Sequence, residues 1–231
     1  MKNIRLLPVI VLALGLAACS STGAAHRHDG SAVYLDRSRL EELAFPPAPA
    51  AGSQVDQADM AAMHDWQAKR TPAQCAEALA EGDAYFDEFF GGLKPFSAPL
   101  PKESLDFLVR VREDISTAVS IFKDRNARQR PYVRDASLSP CLGRVPGLSY
   151  PSGHATISRV YALMLSELAP QRRAAFMARG DEAALYRVIG GVHHPSDIEA
   201  GKQLGDTLFA RFMENPAFLA GMNKLRPFAA K

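Results

Sequence analysis

Apolar residues return at helical spacing along most of the chain, and the pattern predicts helices almost throughout. Asp56 to Lys69 and Pro72 to Phe90 carry Ala, Met, Leu and Phe at that spacing, with Thr71 the expected cap before Pro72 and Gly91-Gly92 the expected stop. Ser104 to Phe122 presents a stripe of Leu105, Leu108, Val109, Val111, Ile115 and Val119, with Arg110, Arg112 and Glu113 largely on the other side. Such a stripe faces a core. This helix delivers Lys123 at its end, and Pro131 marks a boundary soon after. Between Asp135 and Ser149 the breakers Pro140, Gly143, Pro146 and Gly147 predict a loop. Helix resumes from Thr156 to Leu168, stopped by Pro170, and from Gln171 to Ile189, with an interruption expected at Gly180. Gly190-Gly191 ends that run, and Ser196-Asp197-Ile198-Glu199 reads as a capping box that opens a last helix to about Glu214. The expected fold class is all-α, a single-domain helical bundle.

Composition narrows the class. Hydrophobic residues at 47% and charged residues at 23% suit a folded globular domain and not a disordered one. Met1 to Cys19 has basic Lys2 and Arg5, an apolar stretch from Leu6 to Ala18, and the ending Leu16-Ala17-Ala18-Cys19. This is a secretory signal, too short for a spanning helix. Its ending resembles the bacterial lipobox, which implies cleavage after residue 18, lipid on Cys19 and, with Ser20 following, residence in the periplasm on the outer membrane. Residues 19–43 are expected to form the lipidated N-terminus and a tether, in which His26 and His28 are solvated. The folded domain is expected over 44–231. All 25 acidic residues lie beyond the leader, against 25 basic ones once Lys2 and Arg5 are set aside, and this near-neutral balance argues against nucleic acid as a partner. With Cys19 taken by lipid, Cys75 and Cys141 remain. Two thiols in an exported chain suggest a disulfide, with two separate buried thiols as the alternative.

Three short segments carry the candidate chemistry. Pro151-Ser152-Gly153-His154 precedes a helix-forming run, with Ser152 placed to cap it. The first amides of such a helix lack intrahelical partners, so those of Gly153 and His154 are free to face an anion, and His154 is then placed to give a proton to a leaving oxygen. Upstream, six residues separate Lys123 from Arg130-Pro131. Downstream, five residues separate Arg187 from His193, and three more lead to Asp197. Unbroken helix would turn His193 away from the face carrying Arg187, and the Gly190-Gly191 break is expected to bring the two together. Asp197, four positions after His193, is placed to accept that imidazole's N–H and leave the other nitrogen free to attack.

Together the segments resemble the tripartite signature of the type 2 phosphatidic acid phosphatase and vanadium haloperoxidase superfamily. The likeness is strongest to its soluble bacterial class A non-specific acid phosphatases, and it runs from about Ala44 to Leu219, including Phe45-Pro46-Pro47-Ala48-Pro49 followed by Gly52-Ser53. The resemblance implies a helical bundle and metal-independent hydrolysis of phosphomonoesters, of broad specificity, through a phosphohistidine. His193 would be the nucleophile, Asp197 its orienting partner and His154 the acid. Lys123, Arg130, Arg187, the Ser152 hydroxyl and the Gly153 amide would hold the phosphate. No metal and no cofactor are expected, an acid optimum is, and a homo-oligomer is compatible with the sequence. Tyr186 stands where family members commonly have serine, which bears on substrate preference or local packing. His194, beside the nucleophile, is expected to be exposed or satisfied in the core.

Rival readings remain. A zinc hydrolase is disfavoured because the His-Glu-x-x-His pattern is missing and three cations would oppose a divalent ion. A vanadium-dependent haloperoxidase would use the same residues to bind vanadate, and a non-catalytic envelope lipoprotein would need none of them.

Overall fold

The computed structural model describes residues 33–230; the leader, Cys19, His26 and His28 lie outside them. The helices are α1 (Arg37–Glu42), α2 (Gln54–Lys69), α3 (Pro72–Ala80), α4 (Phe86–Phe90), α5 (Lys102–Asn126), α6 (Pro131–Arg134), α7 (Gly153–Leu168), α8 (Arg173–Ile189), α9 (Pro195–Met213) and α10 (Pro216–Leu225). Among the described residues there is no β-strand, and the all-α reading holds. No helix among them is long and apolar enough to cross a membrane.

Helix α7 is the axis of the bundle. From Ala155 to Ser166 all but Arg159 of its residues are buried, because α5, α8 and α9 pack around it. Small residues let α8 and α9 come close. A Cβ at Gly180 would meet Ala162 and Ser158 at 3.2 Å, and one at Gly201 would lie 2.6 Å from the Ser152 carbonyl oxygen. These approaches bring the first turn of α9 against the opening of α7. A large core of Phe89, Phe90, Phe107, Phe122, Tyr161 and Phe218 supports the bundle, and a second cluster with Met63, Tyr132, Ala155, Val188 and Val192 lies beneath those two openings. A disulfide joins Cys75 of α3 to Cys141 in the loop before α7.

Four local expectations change. The predicted helix from Pro72 to Phe90 divides into α3 and α4. Glu88 accepts the amides of Asp83 and Tyr85 at 3.2 and 3.3 Å, and Ala84 turns left-handed at φ 57°. Helix α8 runs unbroken through Gly180, whose missing side chain serves close packing on α7. The box opening α9 lies at His194 and Asp197, not at Ser196 and Glu199: Pro195 occupies the first helical position, and Asp197 Oδ2 accepts the His194 amide at 2.7 Å. Residues 33–43 are part of the folded unit and not of a tether. The amides of Val33, Tyr34 and Leu35 donate to the buried carboxylate of Asp114 at 2.8, 2.6 and 3.1 Å, and Leu35 and Leu40 enter the core.

Candidate active site

The cradle begins at Ser152, which caps α7 by accepting the Ala155 amide at 3.4 Å and is itself buried. Its own amide donates to the Asp197 carbonyl oxygen at 2.9 Å, so the openings of α7 and α9 are joined through the backbone. Gly153 and His154 follow in the first turn, where the helix dipole is positive and amides point outward.

Arg187 and His193 come together because α8 ends in a tight turn. The amides of Val192 and His193 both donate to the Arg187 carbonyl oxygen, at 3.1 and 3.2 Å. Gly191 supplies the left-handed residue that the turn needs, at φ 85°, and a Cβ there would sit 2.9 Å from Pro140. The break that the two glycines predicted is thus the device that turns His193 back.

His193 is 2% exposed. Its Nε2 accepts from Arg130 Nη1 at 3.2 Å, which places the ring proton on Nδ1. That nitrogen lies 3.5 Å from Asp197 Oδ2 and 3.5 Å from Ser149 Oγ. Burial pushes the imidazole down to about 3, and Arg130 and Lys123 add to the effect while Asp197 opposes it. The result is a neutral ring with a lone pair on Nε2. Asp197 holds other donors more tightly: Ser149 Oγ at 2.6 Å, His194 Nδ1 at 2.9 Å and Arg128 Nη1 at 2.7 Å. Burial alone would raise this carboxyl, but the hydrogen bonds from His193 and His194 hold it well below the ordinary range. His194 is satisfied in the core, between Asp197 and Arg134.

The three cations differ in how far they are engaged. Lys123, in the last turn of α5, donates to the Leu148 carbonyl oxygen at 2.6 Å. Burial, then Arg130 and Arg187, push its amine down to about 8. Arg130 donates to the carbonyl oxygens of Gly147, Pro146 and Val192 at 3.0, 3.0 and 2.8 Å. Lys123 and Arg130 therefore fold the loop before α7 onto the site. Arg187 is 4% exposed, yet its Nε and Nη1 have no hydrogen-bond partner among the described residues. Burial, with Arg130 beside it, pushes this guanidinium down to about 10, while Glu81 and Glu88 oppose the shift.

His154 is partly exposed, and its Nε2 donates to the carbonyl oxygens of Glu81 and Gly82 at 3.1 and 3.0 Å. Desolvation, Arg187 and His193 hold it well below the ordinary imidazole range. The turn between α3 and α4 thus borders the site, anchored by Arg179 on the buried Glu81. Tyr186 lies on the half-buried side of α8 beside Arg187.

Sequence reasoning missed Arg128, Ser149, Glu81 and the pair Asp56 and Asp59. Arg128 sits inside the six-residue spacer between Lys123 and Arg130, where spacing says nothing of its partners. Asp56 and Asp59 share a face of α2 and read as ordinary surface acids until the fold buries them.

A helical bundle whose core helix opens beside a neutral histidine and three desolvated cations presents an arrangement suited to a phosphate-like anion. Residues 113–215 match the family model described as the PAP2 superfamily. It is 44% identical over 78 residues to a "Non-specific acid phosphatase" of Salmonella typhi, a match that spans 34% of this chain and only 31% of that protein. A "Non-specific acid phosphatase" of Providencia stuartii is 28% identical over 212 residues, covering 86% of this chain and 85% of that one. Among solved structures the fold is similar to "the first bacterial vanadium dependant iodoperoxidase", with TM-score 0.59 at 18% identity over 78% of this chain and 54% of that one. At that identity the likeness is one of fold.

Proposed function

We propose that the protein hydrolyses phosphomonoesters of broad range through a phosphohistidine on His193, without a metal ion. The observation that carries this reading is Arg187, a buried guanidinium with two N–H groups left over. Orphaned buried donors cost free energy, and a bidentate oxyanion satisfies both. The similarity to proteins named non-specific acid phosphatase supports the substrate class.

In this mechanism the phosphoryl group sits over the opening of α7. Arg187, Lys123, Arg130, the Ser152 hydroxyl and the Gly153 amide hold its three equatorial oxygens. The lone pair on Nε2 of His193 attacks phosphorus as the ester P–O bond breaks, and His154, protonated once the bound phosphate dianion offsets the repulsion from Arg187, gives that proton to the leaving oxygen. Water then attacks the phosphohistidine, His154 takes the water's proton, the P–N bond breaks and inorganic phosphate leaves. Asp197 carries the charge that His193 develops at Nδ1. Cations fixed in a desolvated site supply the electrostatic stabilisation that a metal supplies in other phosphotransfer sites. The leader supports export to the periplasm and lipid on Cys19.

The test is hydrolysis of a chromogenic aryl phosphate at mildly acidic pH in excess chelator, beside His193→Ala. Retained turnover in chelator and loss in the variant are expected. Turnover abolished by chelator, or kept by His193→Ala, overturns the reading.

A further inference from the structure

Asp197 uses its two carboxylate oxygens differently. Oδ2 meets Ser149 and the two histidines, whereas Oδ1 accepts from Arg128 Nη1 at 2.7 Å. The same nitrogen donates to Ser196 Oγ at 2.7 Å. The other, Nη2, donates to Asp59 Oδ2 at 2.7 Å and Asp56 Oδ1 at 3.0 Å. Arg128 is 8% exposed, and all three carboxylates are buried. The cluster is closed on its far side: Arg134 Nη2 donates to Asp56 at 2.7 Å, Arg134 Nη1 reaches His194 Nε2 at 3.0 Å, and the Ser196 amide donates to Asp59 at 3.0 Å. Nothing in the phosphate chemistry uses it directly.

We infer that Arg128 is a positioning residue for the nucleophile, clamping Asp197 against α2 so that Oδ2 meets the Nδ1 edge of His193 at one fixed place and with one fixed charge. This rests on the proposed function of His193. A carboxylate held through Oδ2 alone, by Ser149, the histidines and the His194 amide, keeps some freedom to rock about its Cβ–Cγ bond. A planar fork that holds Oδ1, and is itself held by two acids of a separate helix, removes that freedom. Lysine, a point charge on a flexible stem, does not reproduce the fork. Burying such a cluster adds little net stability, because desolvation offsets its Coulomb attraction, so geometry and local charge are its principal effects.

The charge effect has a direction. The charged and titratable groups around His193 are Asp197 from α9, Arg130 from the approach to α6, Lys123 from α5, His154 from α7 and Arg187 from α8, with His194 and Arg128 sharing Asp197. Removing the charge of Arg128 leaves Asp197 less compensated, and the negative potential at His193 grows. Its protonation midpoint then moves up.

The experiment is an imidazole NMR titration of the full domain, with His193 assigned from His193→Gln, alongside steady-state kinetics on an aryl phosphate. In Arg128→Gln the His193 midpoint is expected to rise by about one pH unit or more. The value of kcat should fall on the order of a hundredfold, the loss that small misplacements of reacting groups produce, with KM nearly unchanged. Arg128→Lys keeps the charge without the fork, so it should keep the midpoint and still lose kcat. A wild-type midpoint in Arg128→Gln, or loss of kcat and KM together at an unchanged midpoint, overturns the inference. If Arg128→Gln does not fold, Arg128→Lys decides, and wild-type kcat in that variant overturns it. A wild-type protein that hydrolyses no phosphomonoester sinks the phosphatase reading, while the titration still tests the clamp.

Discussion

The amide of Ser152 donates to the carbonyl oxygen of Asp197 at 2.9 Å, across 45 residues of sequence. One bond therefore ties the residue that caps α7 to the residue that lies beside His193. Helices α7 and α9 open on the same point, which ties the first turn of α7 to the segment carrying His193.

Gly201 makes that junction. Its absent Cβ would lie 2.6 Å from the Ser152 carbonyl oxygen and 2.8 Å from the Ala155 side chain. Gly201→Ala should lower stability by about 1–3 kcal/mol, as overpacking does, and reduce kcat through displacement of α9. Gly92→Ala, where a Cβ meets nothing within 4 Å, is the control for thermal melts and kinetics.

Arg187 separates activity from stability. Its two orphaned donors are a cost in the free protein and an asset when an oxyanion is bound. Arg187→Ala should lower kcat by about a hundredfold or more, the effect of losing one well-placed donor of roughly 3–4 kcal/mol. In phosphate-free buffer the same variant should melt at a higher temperature than wild type. Wild type should gain stability on adding inorganic phosphate, and the variant should gain far less. Equal phosphate shifts in the two would remove Arg187 from the site.

The histidines make the folded state sensitive to acid. His193, pushed down to about 3, and His154, held well below the ordinary range, stay neutral where unfolded imidazoles are charged. At pH above about 6.5 both states are neutral and this costs nothing. As pH falls from there towards 3 the unfolded chain binds more protons, and stability declines. From about pH 4 downward Asp197 and Asp56 add to the loss, because their carboxyls protonate there in the unfolded chain but are held low in the fold. A phosphate dianion opposes the repulsion from Arg187 and restores a proton to His154, so its binding near neutral pH should take up protons. Calorimetry in buffers of different ionisation enthalpy measures that uptake, and a release of protons would contradict it.

Lys123 sets the alkaline side. With its amine pushed down to about 8, it loses charge in the free protein as pH passes that value. KM should therefore rise above pH 8, and Lys123→Arg, which stays charged, should shift or abolish that rise. A flat KM through this range in the wild type would show that Lys123 does not hold substrate.

The local signals in the sequence were reliable where one chemical rule acts over a few residues. Ser152 after a proline, Thr71 before Pro72 and the glycines at 190 and 191 each define a cap or a break that the structure contains. Spacing also picked out Lys123, Arg130, Arg187, His193 and Asp197, which the fold brings together. The signals misled where a distant partner intervened: Gly180 reads as a break but lies unbroken against Ala162, and the capping of α9 shifted to His194 because Asp197 is drawn inward by Arg128 and Ser149.

What the sequence by itself determined is the helical class, the order of the helices and the identity of the charged and titratable groups that the fold gathers in one place, because periodicity, caps and breakers act within a turn or two of chain. Tertiary structure alone decided which of those groups are engaged and which are free. Arg130 already donates to three carbonyl oxygens while Arg187 keeps two donor nitrogens, and Asp197 is divided between Arg128 and the histidines. Burial and competition for partners across tens of residues set those allocations, and neither leaves a periodic trace along the chain.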